Sequence, residues 1–252
     1  MRRWLLALSF GILTVSLACG GEKAAPPPAI PAGPAVDPAT AATVTATVKF
    51  EGAVPAPEMI VLTGDPKCVS ENGAPQRASE SIVVGDNQAL QNVFVYVKDG
   101  LGNFAFPVPS QPVVLNQEKC RYTPRVLGVR VGQSLQIHNG DPLLHNVRSN
   151  GVINQAFNKS TPIQGMSFEH TFATREVMVP FKCDVHGWMS AYVGVLDHPY
   201  FGTTAADGKV VLGNLPPGTY TIEAWHESLG TKTQQVTIGS KDSKDVSFSF
   251  SR

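Results

Sequence analysis

The feature that most limits what this chain can fold into is a two-residue beat in its apolar side chains. Val44, Ala46, Val48 and Phe50 alternate with polar residues and are followed by Gly52 and Pro55. Leu127, Val129 and Val131 repeat the pattern, and after Gly132 so do Leu135 and Ile137. Successive side chains of a strand point to opposite faces, so this is what a half-buried antiparallel pair requires. Long stretches with a 3.6-residue period are almost missing. The 252 residues include 23 glycines and 20 prolines, which supply the turns between short strands. The reading is an all-β chain of one or two domains, long enough for a real core.

The N-terminus reads as a processing signal. Arg2 and Arg3 precede a short apolar run from Trp4 to Leu17, ending in Ser16-Leu17-Ala18-Cys19. That pattern fits a secretory signal over residues 1–18, and the run is too short for a comfortable membrane span. A cysteine directly after Ala18 resembles the bacterial lipoprotein cleavage site, which implies lipid on Cys19. Gly20 in the following position implies, by the same resemblance, anchoring at the outer membrane facing the periplasm. Ordinary cleavage with a free Cys19 is the alternative. Residues 19–42, rich in proline and alanine, read as a tether. Twenty basic and 20 acidic residues balance, and no basic run follows the first three residues, so a nucleic-acid partner is not expected.

Four cysteines are present. With Cys19 set aside for lipid, three remain, and an exported chain meets an oxidising compartment. Cys68 and Cys120 both lie in turn-rich stretches and are the disulfide candidates. Cys183 is the odd one, although its pairing with either of the others stays open. Its neighbours are unusual: Cys183-Asp184-Val185-His186-Gly187-Trp188-Met189 sets a thiolate, an imidazole and a thioether at a Cys-x-x-His-x-x-Met spacing, and His145 lies upstream. His, Cys, His and Met form the donor set of a mononuclear copper site with a weak axial thioether. A structural zinc site would call for four strong ligands, and Met189 is a poor one. His138, His170 and His198 read as strand or structural residues.

With these residues in place, the chain resembles the cupredoxins over roughly residues 80–197. The approach from Thr123 through Gly132 to Asp141, the His145-Asn146-Val147 motif and the short ligand loop are similar to those of the amicyanin-like members. The resemblance implies one copper ion held by His145, Cys183, His186 and Met189. It implies that Asn146 ties the two ligand loops together near the Cys183 sulfur. It also implies that His186 is the exposed ligand around which a partner docks.

From Tyr200 the pattern changes to short strands with an Asp207-Gly208 turn and a Leu215-Pro216-Pro217-Gly218-Thr219-Tyr220 stretch. This resembles the carboxypeptidase regulatory-like, transthyretin-like sandwich, and at about 50 residues it is small enough to borrow an edge from its neighbour. The expected architecture is therefore a Greek-key cupredoxin β-sandwich over residues 43–198, with its N-terminal strands extending the same sheets, followed by a small β-sandwich over 199–252. The expected function is a periplasmic one-electron copper carrier, not an enzyme, working with a redox partner protein and held to a membrane through Cys19. Copper storage or delivery is the first alternative. A non-catalytic module binding carbohydrate or protein is the second.

Overall fold

The alternation in β1 (Ala42–Phe50) survives as a burial pattern, with every second side chain inside. β1 is the central strand of a three-stranded sheet, antiparallel to β15 (Lys209–Leu215) and parallel to β18 (Ser243–Phe250). Facing it is a four-stranded sheet in the order β14 (Phe201–Thr203), β4 (Phe94–Asp99), β16 (Gly218–His226), β17 (Gly230–Ile238). Val44, Val48, Phe50, Val95, Val97, Ile222, Phe248 and Phe250 fill the layer between them. The structure is a computed structural model and describes residues 33–252. The signal segment expected at 1–18, Cys19 and the first part of the tether lie outside the described residues.

A second sandwich carries the middle of the chain. One sheet runs β10 (Asn158–Thr161), β9 (His145–Ser149), β12 (Glu176–Lys182), β13 (Ser190–Leu196), β7 (Val126–Arg130). The other runs β11 (Ser167–Thr171), β8 (Ser134–Asn139), β5 (Val113–Gln117), β6 (Tyr122–Thr123). Leu115, Leu135, Ile137, Val147, Phe172, Phe181 and Val193 close the core between them. The all-β, β-sandwich class read from the sequence is the class observed.

The placement of the N-terminal strands differs from expectation. Neither β1 nor β4 extends the sheets of the middle sandwich; both pair with strands from beyond residue 200. The tail therefore takes its central strands from the N-terminal region, since a segment of about 50 residues buries too little surface to be more than marginal alone. Between β1 and β4 the chain crosses over. There the hairpin β2 (Met59–Val61) and β3 (Gln76–Ala78) brackets a short helix, α1 (Pro66–Asn72). Asp65 caps α1 by accepting from the Lys67 N–H, Pro66 fits the first turn, and Gly73 ends it at φ 66°. Leu62 and Cys68 of this segment are buried in the middle sandwich, and Cys68 is disulfide-bonded to Cys120.

The two sandwiches share a third apolar cluster built on Phe94, Tyr96, Val126, Met178 and Leu196. Its geometry needs two glycines. Gly128 and Gly194 face each other in the β7–β13 pair, and a Cβ on either would come within 3 Å of the Phe94 ring. Arg125 adds a bidentate pair with Glu227 across the same junction, at 2.5 and 2.7 Å.

His198 and His226 are buried, and each has an Nε2 with no partner among the described residues. Burial holds both imidazoles neutral and brings their pKa down to about 4. The unfolded chain takes up these protons near pH 6.5, so the stabilisation is present above that pH and lost as pH falls towards 4. We expect the melting temperature to fall steeply between pH 6.5 and 4. We expect His226→Phe to remove on the order of 3 kcal/mol of that acid sensitivity, measured by denaturant unfolding at each pH.

Candidate metal centre

Four segments of the middle sandwich and its helical flap build the site. His145 opens β9, and the loop from Cys183 to Met189 joins β12 to β13. β9 and β12 are neighbours, with Lys182 opposite Arg148, so the antiparallel register carries Cys183 back alongside His145. The loop is closed by backbone bonds from Met189 N–H to the His186 carbonyl at 2.9 Å and from Cys183 N–H to the Met189 carbonyl at 3.4 Å. Asn146 ties the two ligand segments: its Oδ1 accepts from the Asp184 N–H at 2.6 Å, and its Nδ2 donates to Asn158 and Asp184.

The donor atoms of His145, Cys183 and His186 lie within 4.8 Å of one another, and all three residues are buried. The two imidazoles turn their Nδ1 atoms together at 3.0 Å, and His186 Nδ1 lies 3.9 Å from the Cys183 sulfur. The sulfur also accepts from the His186 backbone N–H at 3.3 Å. Met189 is fully buried in the same apolar cluster as Cys183. Among the four residues read as ligands, three therefore converge by their donor atoms, and the fourth lies in the core beside them.

Two carboxylates missed by sequence reasoning hold the outer edges of both rings. His145 Nε2 lies 2.8 Å from Asp141, and His186 Nε2 lies 3.0 Å from Asp65, the cap of α1. Each carboxylate accepts a hydrogen bond from Nε2–H, so that when the ring is neutral Nδ1 keeps its lone pair for a metal. Asp141 is itself buried and also accepts from the backbone N–H groups of Lys119 and Cys120 at 2.6 and 2.8 Å. Both of these residues have φ 53°, a local backbone that turns two successive N–H groups to one side. Burial would raise the Asp141 carboxyl, but the bonds from His145, Cys120 and Lys119 outweigh it and hold the group below its usual range. Asp65 is likewise held low by its bond to His186, against a smaller burial effect. Asp141, four residues before His145, had a local signal in the sequence. Asp65 is 121 residues from His186 and had none.

One expectation needs correction. His186, read as the exposed ligand, is only 1% exposed. Asp65 covers its Nε2 edge, Trp188 packs on its ring at 5.2 Å, and the Cys68 and Cys120 sulfurs lie within 4.8 Å of its nearest nitrogen. The flap from the N-terminal region thus closes this face of the site. The His138 ring, by contrast, bonds only Ser167 among the described residues, and the His170 ring packs against Phe157 at 4.2 Å.

No protein-family model matches this sequence, and no curated protein matches it. Solved structures do resemble part of it. A Cu(I) form of an amicyanin mutant is 21% identical, with 35% of this chain and 85% of that chain covered and a TM-score of 0.30. A purple cupredoxin from Nitrosopumilus maritimus is 24% identical, covering 33% of this chain and 98% of that one at a TM-score of 0.29. A copper-containing nitrite reductase from Thermus scotoductus is 20% identical at a TM-score of 0.30; the match spans 37% of this chain and about a quarter of the reductase, 24%.

The Cys183 thiol is the most perturbed group in the cluster. Burial pushes it up, but hydrogen bonds from His145, His186 and the backbone N–H groups of Asn146 and His186 bring it down to about 5. We expect the ultraviolet thiolate band of the metal-free protein to titrate with a midpoint near pH 5. We expect His145→Phe to move that midpoint upward by at least one unit; an unchanged midpoint would separate the thiolate from its imidazole partner.

Proposed function

We propose that the chain is a mononuclear copper electron carrier in which His145, Cys183, His186 and Met189 would hold the ion. The observation that carries the reading is the convergence of two Nδ1 atoms and one thiolate, with both Nε2 edges held by carboxylates. The donor set fits the metal: a soft thiolate and thioether suit Cu(I), and imidazole suits both oxidation states. Bound copper supplies a one-electron couple. The residues supply the rest. Asp141 and Asp65 fix the tautomer and direction of each imidazole. Asn146 holds the Cys183 loop against β9. The apolar cluster around Cys183 and Met189 keeps water out. Ligands fixed by a sheet register and a closed loop have little freedom to move when charge changes, which is what rapid electron exchange needs.

Burial of both imidazoles favours this reading over metal delivery. An electron crosses a few ångströms of packed protein, whereas handing over a metal requires an open ligand edge for exchange. Export, a lipid anchor on Cys19 and an exposed redox partner complete the proposal, and in it the chain performs no catalysis of its own.

The test is the visible spectrum after Cu(II) is added to the reduced apoprotein. We expect an intense thiolate-to-copper band that bleaches on reduction and is absent in Cys183→Ser. We expect Asp65→Asn to keep the band while lowering copper affinity roughly tenfold. A colourless protein that instead retains one zinc per chain would overturn the assignment.

A further inference from the structure

Away from the metal centre, a cleft of about 800 Å³ lies where the β2–β3 hairpin meets the middle sandwich. Its charged lining is Arg77 from β3, Lys119, Arg121 and Arg125, against the single carboxylate of Glu80. Arg125 is already committed to Glu227 through two short bonds. Arg77 and Arg121 must share Glu80, each through Nη1 alone, at 3.4 and 2.9 Å. Apart from a 3.4 Å bond from the Arg77 Nη1 to the Ala78 carbonyl, neither guanidinium has another acceptor among the described residues, and both Nε atoms are buried without one. The Arg77 side chain is only 12% exposed. Burial lowers its pKa, Glu80 opposes this, and the nearby Arg121 and Arg125 lower it further.

A staple between the hairpin and the sandwich would need one arginine and one carboxylate. Two half-used guanidinium forks in a partly closed cleft are one anion short. Buried donors without acceptors are costly, and guanidinium forks match oxyanions in shape as well as charge. We infer that this cleft binds a small molecule through an oxyanion group, phosphate or carboxylate, seated between Arg77 and Arg121. The cleft exceeds the size of a bare phosphate, and Val54, Ile82, Val84 and Pro124 give it an apolar side, so the ligand carries an organic part as well. Tyr122 forms part of the wall, and its hydroxyl donates to the Asn146 carbonyl at 2.5 Å. The bound group would thus lie one side chain from the metal centre, although its binding requires no metal.

Calorimetry on the metal-free protein with inorganic phosphate, succinate and phenyl phosphate tests this. We expect saturable 1:1 binding of phosphate or succinate, the stronger of the two naming the oxyanion. We expect phenyl phosphate to bind more tightly than inorganic phosphate. Arg77→Gln and Arg121→Gln should each weaken binding about tenfold. Glu80→Gln should tighten it, because Glu80 competes with the ligand for the same two forks. No saturable binding by any probe would overturn the inference, as would binding that both arginine variants leave intact. Should either arginine variant fail to fold, Glu80→Gln decides alone: tighter binding supports the site and unchanged affinity removes it.

Discussion

The carboxylate of Asp141 is the point on which the candidate metal centre hangs. It is buried, and it collects three donors from two directions: the Nε2 of His145 and the backbone N–H groups of Lys119 and Cys120. An ionised carboxylate in such a place is tolerable only when its lone pairs are taken up. Removing any one donor would therefore disturb the other two. Because Cys120 is also bonded to Cys68 in α1, and Asp65 caps α1 and meets His186, the supports of the two imidazoles are joined through one disulfide. The ring orientations that define the site are consequences of this single connected set of groups.

Much of this can be read from the sequence, and the boundary of what can be read has a physical cause. Alternation fixes which face of a strand is buried, so β1, β7 and β8 were visible as strands. Alternation does not say which neighbour a strand takes, and for β1 the neighbours begin at residue 209. The assignment of the N-terminal strands to the middle sandwich failed for that reason. The candidate loop stood out because Cys183, His186 and Met189 lie within one turn-sized segment. The cover over His186 did not, since Asp65 reaches it only after the chain has folded a separate hairpin onto the sandwich. The glycines Gly128 and Gly194 were equally silent. Their role is set by the Phe94 ring, which arrives from the other sandwich.

The two sandwiches are consequently interleaved in sequence. The chain visits the outer sandwich with β1, crosses to the metal centre with α1, and returns with β4. It then builds the whole middle sandwich before closing the outer one. A shared apolar cluster and the Arg125–Glu227 pair fix the junction. Such a junction, with aromatic rings lodged against paired glycines, behaves as a packed core and leaves little room for the independent motion that separate domains show.

The central position of β1 also sets a timetable for biosynthesis. Both of its partners are made much later, since β15 begins at Lys209 and β18 ends at Phe250. A ribosome releases β1 long before either can reach it, and the parallel pairing with β18 joins almost the two ends of the described chain. Contacts this distant in sequence form slowly, and strand edges left bare in the meantime invite wrong partners. The growing polypeptide cannot complete its outer sandwich until β18 has emerged. Until then the edge of β1 waits for a strand from the far end of the described chain.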